Sequence, residues 1–352
     1  MPQPPLLQIS ERGLYCAVGD FYIDPWKPVG FAVTTHAHSD HARSGSQNYL
    51  CAEAGRCVLQ ERLGAGAAIE GIPYGKKVTR RSVTVSLHPA GHILGSAQVR
   101  VEHQGEVWVV SGDYKLEAEP TCAPFEPVRC DTFITECTFG LPIYRWRPQA
   151  EIFDEINRWW RQNQSAARAS ILHVYSLGKA QRVLAGVDAS IGPIFVHGGI
   201  SRLLPAYAAA GVKLPAVQEM NAESLGETRG TALVLAPSAA ENSPWLRRFG
   251  EASTAFASGW MQLRGARRRR ALDRGFTLSD HADWDGLLSA ISATGAQRIF
   301  ATHGDTAPLV RWLRERGLDA HGLKTQFTGD AEEISAEPAS GHTAAAEALL
   351  PL

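Results

Sequence analysis

His36, His38, Asp40 and His41 place three imidazoles and a carboxylate within six residues. Imidazole nitrogen and carboxylate oxygen are the donors that zinc and manganese accept. On a loop leaving a strand, His36 and His38 project to one side toward one ion. Asp40 and His41, one turn onward, face a second. A lone histidine is usually a satisfied core or surface residue; four ligand types at this spacing point to a metal pair. Further donors lie downstream. His92 sits in Pro89-Ala90-Gly91-His92-Ile93-Leu94-Gly95-Ser96, where glycines allow a tight turn. Asp113 follows Ser111-Gly112, well placed for a carboxylate bridging two cations, and His303 precedes Gly304. One ion then has His36, His38, His92 and Asp113, and the other has Asp40, His41, Asp113 and His303. Each set leaves room for a shared water, as a catalytic site requires. Paired ions about 3.5–4 Å apart lower the pKa of a bridging water and clamp the attacking and leaving oxygens of a phosphodiester. Asp24, in Phe21-Tyr22-Ile23-Asp24-Pro25, is assigned to orienting a ligand histidine through its other ring nitrogen.

The positioning elements follow from periodicity. Phe31 to Thr35, Val83 to Leu87, Gln98 to Glu102, Val107 to Val110 and Phe133 to Thr135 read as short strands. Each candidate residue is expected just past a strand end, where loops held by a rigid sheet converge. His303 likewise follows the apolar run Arg298 to Thr302. From about residue 149 the texture changes. Gln149 to Gln162 has helical periodicity (Ile152, Ile156, Trp159, Trp160) and starts after Pro148. Ile171 to Tyr175, then Ser176-Leu177-Gly178-Lys179-Ala180-Gln181, reads as strand, turn, helix. Further alternations around Ile194–Val196 and Leu233–Ala236 predict a small α/β layer with parallel strands. The return to the first domain is expected near Phe256. Gly178-Lys179 is not a phosphate loop, since the required earlier Gly and following Ser/Thr are missing.

Composition bounds the class. At 352 residues, with 44% hydrophobic and 20% charged residues, the chain suits a well-packed globular protein of two domains, or one with an insertion. No stretch of about 18 apolar residues suggests a membrane span, and the N-terminus lacks a secretory pattern. Six cysteines without a Cys-x-x-Cys pair read as reduced thiols in a cytoplasmic protein. The net charge of −1 hides a cluster of Arg264, Arg267, Arg268, Arg269 and Arg270, by default a solvated face. The tail from about Glu332, poor in large apolar residues, is expected to be mobile.

These residues resemble the metallo-β-lactamase superfamily over nearly the whole chain except the tail. Asp24 is similar to its first motif, His36 to His41 to its second, His92 to its third and Asp113 to its fourth. Those four serve thioesters, lactams and phosphodiesters alike, so they fix the fold better than the substrate. Thr135-Glu136-Cys137-Thr138-Phe139-Gly140 resembles motif A of the β-CASP nucleases, with Glu136 as the acidic member. Ser279-Asp280-His281-Ala282-Asp283 resembles motif B, with His281 as the key histidine, and Thr302-His303-Gly304-Asp305 resembles motif C. The turn at Gly178-Lys179 is similar to a helix start of the family's inserted domain. Ala257 to Leu287 resembles the bacterial DNA-ligase-associated exonucleases, relatives of Artemis-type DNA nucleases. Artemis-type relatives commonly lack a motif C histidine, whereas RNA-processing members such as RNase J carry one, as does this chain.

The resemblance implies an α/β fold: a metallo-β-lactamase αββα sandwich with an inserted β-CASP α/β domain. The expected parts are 1–149 and 256–331 for the first domain, 150–255 for the insertion and 332–352 for the tail. It implies a DNA exonuclease using two divalent ions, zinc or manganese, acting 5′-to-3′ on single-stranded DNA or a free end. A DNA ligase and a helicase are the expected associates, with no membrane. His281, positioned by Glu136, would contact the scissile phosphate or protonate the leaving oxygen, with Asp113 and Asp24 completing the catalytic set. In this context the run Arg267, Arg268, Arg269 and Arg270 is expected to face the substrate backbone, with Lys115 and Lys179 as further phosphate contacts. An RNA nuclease of RNase J type is the alternative. A small-molecule thioester or lactone hydrolase would not need the insertion, and a non-catalytic scaffold would not need every ligand.

Overall fold

A computed structural model describes residues 5–220, 226, 228–263 and 272–326. Within them the chain is a mixed α/β protein with three sheets. The first has six strands in chain order, from Gln8–Ser10 to Ile69–Ile72. Its last four, Phe21–Ile23, Phe31–Val33, Asn48–Ala52 and Ile69–Ile72, run parallel. The second has seven strands. Its parallel half joins Glu106–Val110, Thr132–Glu136, Arg298–Thr302 and Asp319–Gly322. Antiparallel strands Ala97–His103, Val83–Pro89 and Val78–Arg80 complete it.

Alternation along the strands explains why these two sheets stack. In Thr132–Glu136, Ile134 faces a core shared with Phe21, Val33 and Leu50 of the first sheet. Its neighbour Phe133 faces the opposite side, among Leu287, Ile291, Leu309 and Leu313 of helices Trp284–Thr294 and Thr306–Arg314. Period-two geometry sends successive side chains to opposite faces, so a strand covered on both faces is apolar throughout. On the far face of the first sheet, helix Arg56–Leu63 packs Val58 and Leu59 near Cys51.

The third sheet is wholly parallel: Ile194–Val196, Leu233–Ala236, Ala169–His173, Ala252–Ala257 and Arg274–Phe276. Helix Gln149–Ser165 begins after Pro148 and buries Ile152, Ile156, Trp159 and Trp160 against it, the face that the periodicity predicts. Burying each such side chain contributes roughly 1.5–3 kcal/mol. Two expectations shift. The sheet runs past residue 255 to Phe276, because Ala252–Ala257 pairs with Ala169–His173 on one side and with Arg274–Phe276 on the other, rather than with the second sheet. Glu136 is the last residue of its strand, not a residue beyond it. No helix among the described residues is long and apolar enough to cross a membrane. The tail from Glu332 and the arginines at 264 and 267–270 lie outside the described residues.

Candidate metal centre

Both sheets end at one point. His36 follows the strand Phe31–Val33, His92 follows Val83–Pro89, Asp113 follows Glu106–Val110 and His303 follows Arg298–Thr302. A Cβ on Gly112, which has φ +57°, would lie 2.7 Å from Thr35 Cβ, so only glycine lets the Asp113 loop close against the residue before His36. Asp24 and His303 both hold positive φ, 43° and 62°. Such conformations are costly for residues other than glycine, and persist where surroundings over-determine them.

Among the described residues three donor groups result, two of them rich in imidazole: His36, His38, His92 and Asp113, and Asp40, His41 and His303; the third joins Asp113 to Glu136 and His281. In the first, His36 Nε2 and His92 Nε2 each stand 3.2 Å from His38 Nδ1. Asp113 Oδ2 is 3.5 Å from His36 Nε2 and 3.8 Å from His92 Nε2. In the second, His41 Nε2 and His303 Nε2 are 3.2 Å apart, and Asp40 Oδ2 is 3.7 Å from His41 Nε2. Asp113 reaches both groups, with Oδ2 3.6 Å from His41 Nε2 and Oδ1 3.7 Å from His303 Nε2. A tetrahedral zinc with bonds near 2.0–2.1 Å sets its donors about 3.3–3.4 Å apart, close to these spacings.

The opposite ring nitrogens settle the tautomers. His92 Nδ1 lies 2.9 Å from the Asp280 carbonyl and His38 Nε2 lies 3.1 Å from the Leu177 carbonyl. A carbonyl only accepts, so these nitrogens carry the hydrogens and their ring partners present lone pairs. His36 Nδ1 meets Thr35 Oγ1 at 3.1 Å, and that hydroxyl itself donates to Asp24 Oδ2 at 2.6 Å. Burial holds His36 well below the usual histidine range, helped by His41, His38 and His92. Three nitrogen lone pairs therefore converge with no hydrogen to share. Asp113 Oδ1 is buried without a hydrogen-bond partner. Converging lone pairs beside an unbonded carboxylate oxygen fit a cation.

The second group shows the same demand for positive charge. Burial alone would lower His41, but Asp113, Asp40 and Asp24 outweigh it and raise it to about 10. Burial, then the neighbouring His41, lowers His303 to about 3. Asp113 is pushed up by burial to about 7. Carboxylates that hold a proton on His41 can hold a divalent ion in its place.

Asp24 lies against His41 and Thr35. Its Oδ2 accepts His41 Nδ1–H at 2.7 Å, and Oδ1 accepts the Thr35 N–H at 2.8 Å. Asp24→Asn is expected to weaken binding at the Asp40–His41–His303 group roughly 10–100-fold, and to act less on the His36–His38–His92 group, which Asp24 reaches only through Thr35. Competition with a chelating dye measures this; unchanged affinity for both ions would refute it.

Glu136 and His281 meet beside the first group. His281 Nδ1 lies 3.0 and 2.9 Å from the two carboxylate oxygens, and its ring is 4.7 Å from that of His92. Glu136 Oε1 also accepts the Tyr114 N–H at 2.8 Å. Burial would raise Glu136, but His281 and the hydrogen bonds around it hold it below the usual carboxylate range.

Lys115 and Lys179 both turn inward. Lys115 Nζ is buried, donates to the Ser279 carbonyl at 2.9 Å and pairs with Glu117 at 3.0 Å. Lys179 Nζ is buried on Asp280 Oδ2 at 2.8 Å. Carboxylates and carbonyls of the chain itself draw these ammonium groups inward, which corrects the phosphate-contact expectation. The proposed contacts at Arg267, Arg268, Arg269 and Arg270 lie outside the described residues.

Thr35, Leu177 and Asp280 are the orienting residues that motif reading missed. Two of them act through main-chain carbonyls, which leave no signature in residue type. The close approach of Leu177 needs Gly178, at φ +90°, where a Cβ would collide with Ile93.

No family model matches the chain. Relatives include a protein of Opitutus terrae named "Probable DNA ligase", 32% identical over 316 residues, spanning 89% of this chain and 30% of that protein. Endoribonuclease ysh-1 of Neurospora crassa is 27% identical over 200 residues, 51% of this chain and 22% of its own length. Cleavage and polyadenylation specificity factor subunit 3 of Dictyostelium discoideum is 27% identical over 124 residues, 34% of this chain and 16% of its own length. The matches thus cover under a third of each of these relatives. A protein of unknown function from Enterococcus faecalis V583 superposes with a TM-score of 0.57 at 12% identity, over 84% of this chain and 79% of that one, a likeness of fold.

Proposed function

We propose that this chain, which belongs to the β-CASP nucleases of the metallo-β-lactamase superfamily, is a two-metal phosphodiesterase that digests DNA from a free end, 5′-to-3′, in repair alongside a DNA ligase. In this reading the first two sheets and their helices are the metallo-β-lactamase sandwich, and the third sheet with its helices is the inserted β-CASP domain. The observation that carries the proposal is the convergence of two donor groups on Asp113, with the Glu136–His281 pair beside them.

His36, His38, His92 and Asp113 would hold one ion, and Asp40, His41, His303 and Asp113 the other. Zinc and manganese both suit nitrogen and oxygen donors. Bound there, such ions supply Lewis acidity and a water of lowered pKa. The protein's own part is orientation and proton movement. Thr35, Asp24, Leu177 and Asp280 fix the imidazole faces. Glu136 takes the His281 Nδ1–H, which leaves Nε2 to carry a proton to the leaving oxygen.

DNA is favoured by the relative named "Probable DNA ligase", which matches 89% of the chain. RNA is the second reading, favoured by the endoribonuclease relatives and by a histidine at position 303. A thioester or lactone hydrolase is disfavoured, because a small substrate needs no third sheet flanking the metal groups. The test is a digest of 5′- and 3′-labelled DNA and matched RNA with manganese or zinc. Mononucleotides released from the 5′ label of DNA alone are the expected result. Preferential RNA cleavage would replace the DNA reading, and full activity after chelation would end the metal reading.

A further inference from the structure

Arg182 has no part in the chemistry above, yet it is fully buried and touches three separate segments. It lies on helix Lys179–Gly186, which packs on the third sheet. Nη1 donates to the Ser279 carbonyl at 3.0 Å and Nη2 to the His92 carbonyl at 3.2 Å. Nε stands 3.3 Å from Asp280 Oδ1, and Nη2 stands 3.7 Å from Glu119 Oε1. Asp280 Oδ2 in turn pairs with Lys179, while the Asp280 carbonyl accepts the His92 ring. His92 is therefore gripped twice: Arg182 holds its backbone, and the residue paired with Arg182 orients its imidazole.

Buried ion networks of this kind are weak devices for stability, because desolvation offsets their attraction and apolar side chains can fill the space as well. Apolar side chains would not hold two carbonyls at fixed points. A guanidinium does so, because its donors form a rigid planar fork. We infer that Arg182 and Asp280 are positioning residues that carry the docking of the third sheet's helix into the metal centre, setting His92 and hence affinity at the first donor group. This rests on the metal-centre reading. The second group is oriented from elsewhere, by Asp24 on His41, so the effect is selective.

The test titrates cobalt or zinc into the full chain after chelator stripping, followed by calorimetry and, for cobalt, by ligand-field absorbance. Wild type is expected to take up two ions. Arg182→Met and Asp280→Asn should each weaken one of them roughly 10–100-fold with the other unchanged, and Arg182→Lys should fall between. Wild-type affinity for both ions in these variants would overturn the inference. So would equal weakening of both, the mark of a generally loosened fold. Should Arg182→Met fail to fold, Asp280→Asn decides, since it keeps the carbonyl and the side-chain shape. Failure of wild type to bind any ion would overturn the metal-centre reading instead.

Discussion

Asp113→Ala is expected to bind neither ion at micromolar metal and to lose turnover by at least about a thousandfold, since the groups that stabilise developing charge go with the ions. Among the described residues Asp113 is the one side chain whose two oxygens approach both donor groups, and none of them replaces it. Stability should move the other way. Burial works against its ionised form, and Oδ1 has no hydrogen bond to offset that burial. The metal-free variant should therefore melt no lower than metal-free wild type, while the rise in melting temperature on adding zinc disappears. Metal content by atomic emission and paired melting curves check both halves. A variant that keeps two ions would remove Asp113 from the bridging role.

His281→Ala should separate chemistry from metal binding. Loss of a positioned general acid costs about 10²–10⁴-fold in kcat, with metal content and KM near wild type. The substitution also leaves Glu136 buried without its cation partner, so a fall in stability is expected as well. Glu136→Gln is the informative companion, because Glu136 acts through His281 and the two lesions should not add. A double variant no slower than His281→Ala fits a histidine positioned by its carboxylate. Full additivity would mean that Glu136 has an independent task.

How far the site could be read from sequence depends on what each residue does. Ligation requires particular side-chain types, so His36, His38, Asp40, His41, His92, Asp113 and His303 could be picked out by type and by their place near strand ends. Their convergence into two groups is a structural result. Orientation is often done by the main chain, and nothing in the letters at 177 or 280 says that their carbonyls receive imidazoles. Charge misleads for a related reason. Lys115 and Lys179 look like phosphate contacts until Glu117 and Asp280 are seen beside them. The long, strongly periodic helix Gln149–Ser165 was plain in the sequence. The edge strand Arg274–Phe276 was not, because three residues containing arginine and glycine carry no strand signal and only Ala252–Ala257 beside them makes a strand there.

The pairing of Thr132–Glu136 with Arg298–Thr302 brings Glu136 level with Thr302, the residue before His303. Six of the seven candidate ligands precede residue 114, and the seventh arrives only when a strand nearly two hundred positions later is laid into the sheet. A nascent chain emerging from the ribosome thus carries most of the donors long before it can complete the second group.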